Sequence, residues 1–355
     1  MNVNRFEFQL VDLRSAGDEI YAAVSRLMDR IMAESHPEDP LIALEERVAR
    51  WKNRSEDAEV ETWIAWQAAG ELAGMSSSVY STKGEDNKHI LGFKAEVLPE
   101  RRRRGLGCTL LSRSVDMAER SNRRLLISST SDRVPAGEAF LTACGAQPGL
   151  ALHTNQLLVA EVDRALLQRW VDRAPADRFE LGVWEGAFPD SQLEAVARLW
   201  QILNDAPRGR LELDDVVITT DQLRQMERSM FAGGTERWSL HAREKRSGDL
   251  AGFTEVHWNA RRPTRLGQGT TGVFPAYRRQ GLGRWLKAEM LQRILRLHPE
   301  IERVRTGNAD ANVAMLKINR ELGYRPYIAT TVWQLDVARA REFVGARRRC
   351  GGEQT

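Results

Sequence analysis

The sequence predicts an α/β (α+β) protein of two tandem domains, each a mixed, mostly antiparallel sheet flanked by helices. Its 355 residues suit two domains of about 100–200 residues each. The segment LPERRRRGLGCTLL at 98–111 returns as FPAYRRQGLGRWLK at 274–287, and its shared Pro, Arg and Gly positions recur 176 residues later. The same order of strand and helix patterns surrounds both copies. Because solenoid and propeller repeats have periods of about 20–50 residues, this spacing indicates a duplicated domain.

The first half opens with a helical pattern at 19–32, followed by the strand patterns ETWIAWQAAGEL, LAGMSSSVYS and HILGFKAEVLP before its glycines. After them come a helix in LLSRSVDMAERS, a strand in RRLLISST, a helix in GEAFLTACG and a strand in HTNQLLVAEV. Antiparallel strands followed by helix, strand, helix and strand predict one mixed sheet.

The second half repeats this order: a helix at 191–203, then strands in RWSLHAREK, GDLAGFTEVHWN and TRLGQGTTGVFP. Next come a helix in RWLKAEMLQRILRLH, a strand in IERVRTGN, a helix ended by Gly323 and a strand in YIATTVWQLDV. Trp200, Trp238 and Trp285 fall on apolar periodic positions and are expected in the core. We therefore predict domains at 1–162 and 179–337, a polar linker at 163–178, and a basic tail at 338–355 that frays.

Composition excludes several classes of protein. A hydrophobic content of 42%, a charged content of 28% and a net charge of +3 are ordinary for a globular protein. They give no general attraction to nucleic acid or to an anionic membrane. Three cysteines are too few for a disulfide framework and lack the spacing of a metal site. Without a signal-peptide or membrane-spanning pattern, we expect a soluble, cytoplasmic protein that holds no metal.

The repeated Arg-x-x-Gly-x-Gly carries the chemistry. Glycines between a strand and a helix let a ligand approach the backbone, and the unpaired amides of the helix start attract phosphate. The alternative is an ordinary helix start beside a solvated basic stretch, but two copies in matching contexts favour the phosphate loop. Neither G-x-x-x-x-G-K-[ST] nor G-x-G-x-x-G with an acidic residue about twenty positions on is present.

These residues resemble the GCN5-related N-acetyltransferase (GNAT) family, in a tandem arrangement similar to that of mycothiol synthase. The family motif is a strand ending in V-x-P, then [RQ]-x-x-G-x-[GA] and a helix. Val97 to Gly107 and Val273 to Gly283 match it. The stretch 306–324, TGNADANVAMLKINRELGY, is similar to the Asn-containing strand and helix that follow in the family.

The resemblance implies acetyl-coenzyme A as cosubstrate, with its pyrophosphate on the loop and its pantetheine arm in a V-shaped gap beside residues 271–273. The coenzyme-binding residues that it implies in the second domain are Thr271, Gly272, Val273, Arg278, Arg279, Gln280, Gly281, Leu282, Gly283, Arg284, Asn308 and Asn312. In the first domain they are Ala95, Glu96, Val97, Arg102, Arg103, Arg104, Gly105, Leu106, Gly107 and Cys108.

The second domain is expected to be the catalytic one, because Val134 stands in the first where Asn312 stands in the second. The first domain is then a second active copy, a degenerate structural partner or a coenzyme-binding part. The resemblance implies a tyrosine as the general acid, but Asn319 takes its place, and an amide is not acidic enough to protonate the leaving thiolate. Tyr324 is more simply explained as a buried aromatic residue.

Glu255 and His257 alternate on one strand and so share a face, which makes them candidate general bases, with Glu255 preferred. The alternative is an exposed pair on a sheet face. The acidic loops 34–40 and 203–215, with Glu38, Asp39, Asp205, Glu212, Asp214 and Asp215, suit a cationic amine, although solvated loops are often acidic too.

Two functions remain open: N-acetyl transfer to a small-molecule amine, and coenzyme binding without transfer. In either case we expect a monomer or homodimer that binds neither nucleic acid nor membranes.

Overall fold

The structure, a computed structural model, describes residues 6–67 and 70–352. It divides the chain into two compact units. Unit 1 comprises the described residues of 1–151, 208–214 and 330–355, and unit 2 comprises 152–207 and 215–329.

The strands are β1 (Glu7–Val11), β2 (Ala58–Trp66), β3 (Leu72–Ser81), β4 (Ile90–Val97), β5 (Leu125–Ser131), β6 (Gln147–Leu158), β7 (Phe179–Glu185), β8 (Thr235–Glu244), β9 (Leu250–Asn259), β10 (Arg265–Val273), β11 (Arg303–Ala309) and β12 (Arg325–Asp336). The helices are α1 (Asp18–Ser35), α2 (Leu44–Lys52), α3 (Leu106–Arg120), α4 (Pro135–Ala143), α5 (Arg164–Asp172), α6 (Leu193–Trp200), α7 (Thr220–Ala232), α8 (Leu282–Leu297), α9 (Val313–Glu321) and α10 (Val337–Gly352).

Each unit is built on a mixed sheet. In unit 1 the strands pair in the order β1, β2, β3, β4, β5 and the second half of β12; only the β4–β5 pair is parallel among them. In unit 2 the order is the second half of β6, then β11, β10, β9, β8 and β7, with β10–β11 parallel. The predicted fold class, a mixed and mostly antiparallel sheet flanked by helices in each tandem domain, is confirmed.

Strand β9 shows how the alternating sequence builds two layers in unit 2. Val256 and Trp258 join a core that includes Leu286 of α8, whereas Phe253 joins Trp200 of α6 on the other face. Trp238 and Trp285 are also buried, so the predicted core tryptophans are confirmed. The helices thus cover both faces of the sheet.

The two halves of the sequence exchange strands, which the sequence did not predict. Residues Thr330–Asp336 of β12 pair with β5, and Trp333 belongs to the core of unit 1. In return, Leu152–Leu158 of β6 pair with β11, and Leu157 belongs to the core of unit 2. The compact units therefore differ from the contiguous domains predicted at 1–162 and 179–337.

A helix occupies part of the predicted linker, and another occupies the described part of the predicted tail. Helix α5 lies within 163–178, and Leu167 is fully buried in the core of unit 2. Helix α10 places Ala340 and Val344, four residues apart, in the core of unit 1. Arg341 between them bonds Asp116 and Glu119 of α3. The prediction that the tail frays is wrong for 338–347, because the apolar positions there have helical spacing and are covered.

Within the described ranges, no helix combines the length and the apolar character that crossing a bilayer would require.

Candidate functional site

The two Arg-x-x-Gly-x-Gly loops share one backbone conformation. In unit 2, Arg279 and Gly281 have φ values of 63° and 86°, and α8 begins at the next residue, Leu282. In unit 1, Arg103 and Gly105 have φ values of 62° and 83°, and α3 follows directly. A left-handed arginine is uncommon, so its occurrence in both loops shows that the repeated sequence encodes a specific turn.

The main-chain geometry of this turn suits an anion. Left-handed residues next to a helix start gather successive N–H groups in a concave surface. The first amides of α8 have no partner within the helix, and the helix dipole adds partial positive charge there. A Cβ built at Gly281 or at Gly105 meets nothing within 4 Å, so the outer side of each loop is open. Both loops can accept a phosphate.

The first arginine of each motif braces the turn. Arg278 donates from Nε to the Val273 carbonyl at 2.9 Å and pairs with Asp205 at 2.5 Å. Arg102 donates to the Val97 carbonyl at 3.1 Å, and its two terminal nitrogens bond Glu34 at 2.7 and 2.5 Å. The role of these side chains as phosphate ligands stays a prediction. The acidic partners were not predicted, because nothing in the local sequence links them to the motif.

The other loop residues lie where the motif predicts them. Arg284, on the first turn of α8, bonds Glu321 of α9 through two contacts of 2.9 Å. The remaining predicted residues form three groups: strand ends (Thr271, Gly272, Val273; Ala95, Glu96, Val97), loop (Gln280; Arg104) and first helical turn (Gly283; Leu106, Gly107, Cys108).

The two parallel strands beside each loop diverge, and in unit 2 they diverge where the resemblance implies a V-shaped gap. The parallel strands β10 and β11 pair only from Arg265–Arg303 to Gly267–Arg305. Beyond this point β10 continues with β9, and β11 continues with β6. In unit 1, β4 and β5 likewise share only the pairs from Ile90 to Gly92. Strands that pair at one end and diverge at the other leave unpaired main-chain groups that a ligand can reach.

Only unit 2 carries a β-bulge in the strand that borders the gap. Gln268 of β10 pairs with Val256 of β9, and Thr271 pairs with Thr254. Between these two pairs β10 advances by three residues and β9 by only two, so β10 contains one extra residue. The corresponding β3–β4 ladder in unit 1 has no such register shift. A Cβ at Gly269 would lie 2.8 Å from His257 and 2.9 Å from Glu255, so the bulge needs glycine there.

Glu255 and His257 lie beside this bulge; Glu255 is buried and His257 is half-buried, so the alternative of an exposed pair is wrong for Glu255. The Glu255 side chain accepts from the Thr270 amide at 3.4 Å, and His257 Nε2 lies 4.0 Å from its Oε1. Burial raises the pKa of Glu255 to about 7, although the charge of Arg237 opposes this shift. Burial, with the same arginine, lowers the pKa of His257 to about 4. Near neutral pH the histidine is uncharged and the carboxyl group can gain or lose a proton.

Two residues that the sequence analysis missed extend this polar face. Ser239 and His241 lie on β8, where Ser239 is paired with Glu255. Ser239 Oγ, His241 Nδ1, Glu255 Oε2 and His257 Nε2 are buried and have no hydrogen-bond partner among the described residues. A buried polar atom without a hydrogen-bond partner lowers the stability of the fold by about 1–3 kcal/mol. Four such atoms on one face of the sheet therefore indicate a site for water or a ligand. The alternation of polar residues in RWSLHARE could have revealed them.

A second cluster of polar side chains lies near the gap between β10 and β11, on the side of the sheet that α8 covers. Lys287 Nζ donates to Asn319 Oδ1 at 2.7 Å, and Asn319 Nδ2 donates to Asn308 Oδ1 at 2.7 Å. Asn312 instead caps α9, accepting from the Met315 amide at 3.2 Å. Tyr324 is buried in the core, and burial raises the pKa of its hydroxyl. The sequence analysis did not single out Lys287, although it interrupts the apolar stripe of α8.

Comparison with known proteins was informative at the level of structure. No protein-family model and no curated protein matched the sequence. A tandem GNAT protein from the clavulanic acid biosynthesis pathway, solved without acetyl-coenzyme A, superposes with a TM-score of 0.78 and 25% identity, covering 94% of this chain and 99% of its own. A GCN5-related N-acetyltransferase from Sphaerobacter thermophilus superposes with a TM-score of 0.64 at 15% identity, covering 93% and 96%.

The chain has the tandem GNAT fold. The finer resemblance to mycothiol synthase stays a prediction.

The two GNAT units differ on the face that carries Glu255. Strand pairing aligns Gly74 of β3 with Gly252 of β9, since Gly74 pairs with Val97 and Gly252 with Val273. By this register, unit 1 has Ser77 and Val79 at the positions of Glu255 and His257. Thr62 and Ile64 of β2 correspond in the same way to Ser239 and His241. None of these four side chains of unit 1 can exchange a proton near neutral pH.

The acidic loops form ion pairs rather than a free acidic wall. In unit 1, Glu38 bonds Arg133 at 3.0 Å. The segment 203–215 is divided: residues 208–214 belong to unit 1, where Glu212 bonds Arg124 at 2.7 Å. Residues 208–214 therefore do not belong to unit 2, and the suitability of the two loops for a cationic amine stays a prediction. Asp205 of unit 2 is held by Arg278, as described above.

Proposed function

We propose that unit 2 transfers an acetyl group from acetyl-coenzyme A to the amine of a small molecule. The observation that carries this proposal is the bulge of β10, which brings Gly269 against Glu255 and His257 beside the opening between β10 and β11. An anion-binding loop lies at the end of the same strand. A phosphate site, a cleft and a buried proton acceptor thus occur together in one unit.

The residues of the loop and gap fit a coenzyme with a pyrophosphate and a long, uncharged arm. The amides of residues 279–283 would hold the pyrophosphate, assisted by the dipole of α8. The unpaired main-chain groups of β10 between Gln268 and Val273 would bond the pantetheine amides and polarise the thioester carbonyl. The resemblance to the GNAT family supports acetyl as the transferred group.

The acceptor would occupy the polar face of β8 and β9. Glu255, ionised above a pKa of about 7, would take a proton from the acceptor ammonium. The free amine then attacks the thioester carbon, the C–N bond forms, and the C–S bond breaks with its electron pair on sulfur. Ser239 and His241 offer further unpaired polar atoms for hydroxyl or amide groups of the acceptor. Much of the rate would come from alignment of the two reactants.

Unit 1 keeps the loop and the gap but has no acid or base at the corresponding positions. We propose that it binds coenzyme or supports the fold without transferring the acetyl group. The small-molecule amine is the partner that we propose for the protein, acting as a monomer or homodimer.

The second candidate function is coenzyme binding without transfer, as in a sensor. The observation that favours it is Asn319, which stands where the family resemblance leads us to expect a tyrosine acid. The buried, poised carboxyl group of Glu255 opposes it, because a binding module has no use for a proton acceptor at that place.

Amine-dependent release of the coenzyme thiol distinguishes the two functions. The full chain is incubated with acetyl-coenzyme A and a panel of monoamines, polyamines, amino sugars and amino-acid amides, and thiol release is followed colorimetrically. We expect release above the amine-free rate with at least one class, with an acetylated product of matching mass. Binding of the coenzyme by calorimetry, with no amine-dependent release across the panel, would favour the sensor.

A further inference from the structure

We propose that Lys287, Asn319 and Asn308 form a polarised hydrogen-bond chain that stabilises the coenzyme thiolate as it leaves. This inference rests on the proposed acetyl transfer in unit 2. Asn308 would contact the sulfur, and Lys287 and Asn319 would act as positioning residues behind it.

The direction of the chain follows from its first member. A lysine ammonium only donates, so the Asn319 atom at 2.7 Å from Nζ is the amide oxygen. The amide nitrogen of Asn319 then faces Asn308, whose contacting atom, also at 2.7 Å, is its oxygen. Asn308 is left with its own amide nitrogen as a donor. All three groups therefore donate in one direction, away from the ammonium.

The burial of the Lys287 ammonium lowers the stability of the fold. Lys287 is 2% exposed and Asn319 is 1% exposed. Within the described residues, Nζ forms no ion pair with a carboxylate, and the ring of Tyr324 lies 5.4 Å away. Desolvation lowers the pKa of Lys287 to about 7. A buried cation without a counter-ion is stabilised by any negative charge that forms nearby.

The free end of the chain lies at the gap. Asn308 is on β11, three residues beyond Arg305, where pairing with β10 ends. On the opposite strand, β10, Thr270 lies three residues beyond Gly267, the last residue paired with β11. Thr270 and Gly269 form the bulge. A thioester polarised by this part of β10 would place its sulfur between the diverging strands.

The hydrogen-bond chain would stabilise the negative charge that acetyl transfer leaves on sulfur. When the C–S bond breaks, the electron pair stays on sulfur, and the Asn308 N–H would donate to the resulting thiolate. The amides stay intact and pass no proton along the chain. Glu255 holds the first proton, taken from the acceptor ammonium, and the second proton, which the nitrogen loses after attack, passes to water. The thiolate is released ionised or takes a proton from solvent. The nearby ammonium lowers the energy of the thiolate through its charge.

Unit 1 shows what the same positions contain without such a chain. Leu111 of α3 and Leu141 of α4 occupy the positions of Lys287 and Asn319, and both lie in the core of that unit. Thr130 of β5 corresponds to Asn308, and its hydroxyl accepts from Trp333. Unit 1 thus packs leucine at both helical positions. The double variant K287L/N319L copies into unit 2 a packing that this fold already uses.

The decisive measurement is the ionisation of the bound thiol, which requires no acetyl transfer. Free coenzyme A is bound to the full chain, and the ultraviolet absorbance of the thiolate is followed against pH for wild type and for K287L/N319L. We expect the pKa of the bound thiol to be at least one unit lower in wild type. K287M serves as a second variant that leaves Asn319 in place, and K317M, which removes an exposed lysine of α9, is the control. Equal thiol titration in wild type and both test variants would overturn the proposal.

Turnover provides the second readout. Loss of a positioned donor typically costs about 10²–10³-fold in kcat, and we expect about 10–10²-fold here because Asn308 remains. The loss should shrink with an aryl thioester analogue, whose thiolate needs less stabilisation, and KM should change little. An equal loss with both thioesters would contradict the proposal. A lowered thiol pKa without transfer to any amine would count against the proposed function and for the hydrogen-bond chain.

Discussion

At the scale of single residues, burial separates the ionisation of two neighbours on β9. Glu255 and His257 lie on the same face, yet desolvation raises the pKa of the acid to about 7 and lowers that of the histidine to about 4. Desolvation always disfavours the charged form, so it acts in opposite directions on an acid and a base. Of these two residues, only Glu255 changes charge between pH 5 and 8. The carboxyl group is therefore the proton acceptor that titrates in the working range.

The variant Glu255→Gln tests this assignment. It keeps the shape of the side chain but removes the proton acceptor, so kcat should fall by about 10²–10⁴-fold. Because the base must be ionised, wild-type activity should fall as pH drops through about 7, and the variant should lose this limb. Calorimetry should show unchanged coenzyme binding. The matched control is Ser77→Ala in unit 1, at the corresponding strand position. If the acidic limb persists in Glu255→Gln, the base is another group.

At the scale of elements, the repeated loop could be predicted from sequence and the bulge could not. Arginine and glycine at fixed spacing after a strand specify the turn locally, which is why Arg103 and Arg279 adopt the same φ. The bulge depends on one extra residue, nine in β10 against eight in β4, and becomes visible only when the strand pairing is known. Lys287 was missed for a similar reason. A single lysine in an amphipathic helix is normally exposed, and its burial is decided by the tertiary fold.

Matched variants of the two loops test which unit performs the transfer. At Gly281 and Gly105 the positive φ strains any β-branched residue, although a Cβ meets no neighbour. Gly281→Val should therefore abolish coenzyme binding by unit 2 and reduce turnover to background. Gly105→Val should leave turnover nearly unchanged and remove at most one binding site, as counted by calorimetry. Equal losses of turnover in the two variants would indicate two working sites.

At the scale of the whole molecule, the sequence predicted two similar units but not their exact composition. The sequence analysis correctly predicted strands in HTNQLLVAEV and YIATTVWQLDV, where β6 and β12 end. The pattern does not identify the neighbouring strand, since pairing is made by main-chain groups that every residue carries. The exchange of strand halves between the two sequence halves therefore appeared only in the structure.

The exchange makes a reciprocal prediction about stability. Trp333 comes from the second half of the sequence but is buried in unit 1, and Leu157 comes from the first half but is buried in unit 2. Trp333→Ala should cost about 3–5 kcal/mol and Leu157→Ala about 2–5 kcal/mol, through lost burial and the cavity that each leaves. Hydrogen exchange followed by mass spectrometry should show faster exchange in α3 for Trp333→Ala and in α8 for Leu157→Ala. The exposed Val313→Ala provides a control with little expected change. If Trp333→Ala instead loosened α8 and left α3 protected, the last strand would belong with its own half of the sequence, and the strand exchange would be refuted.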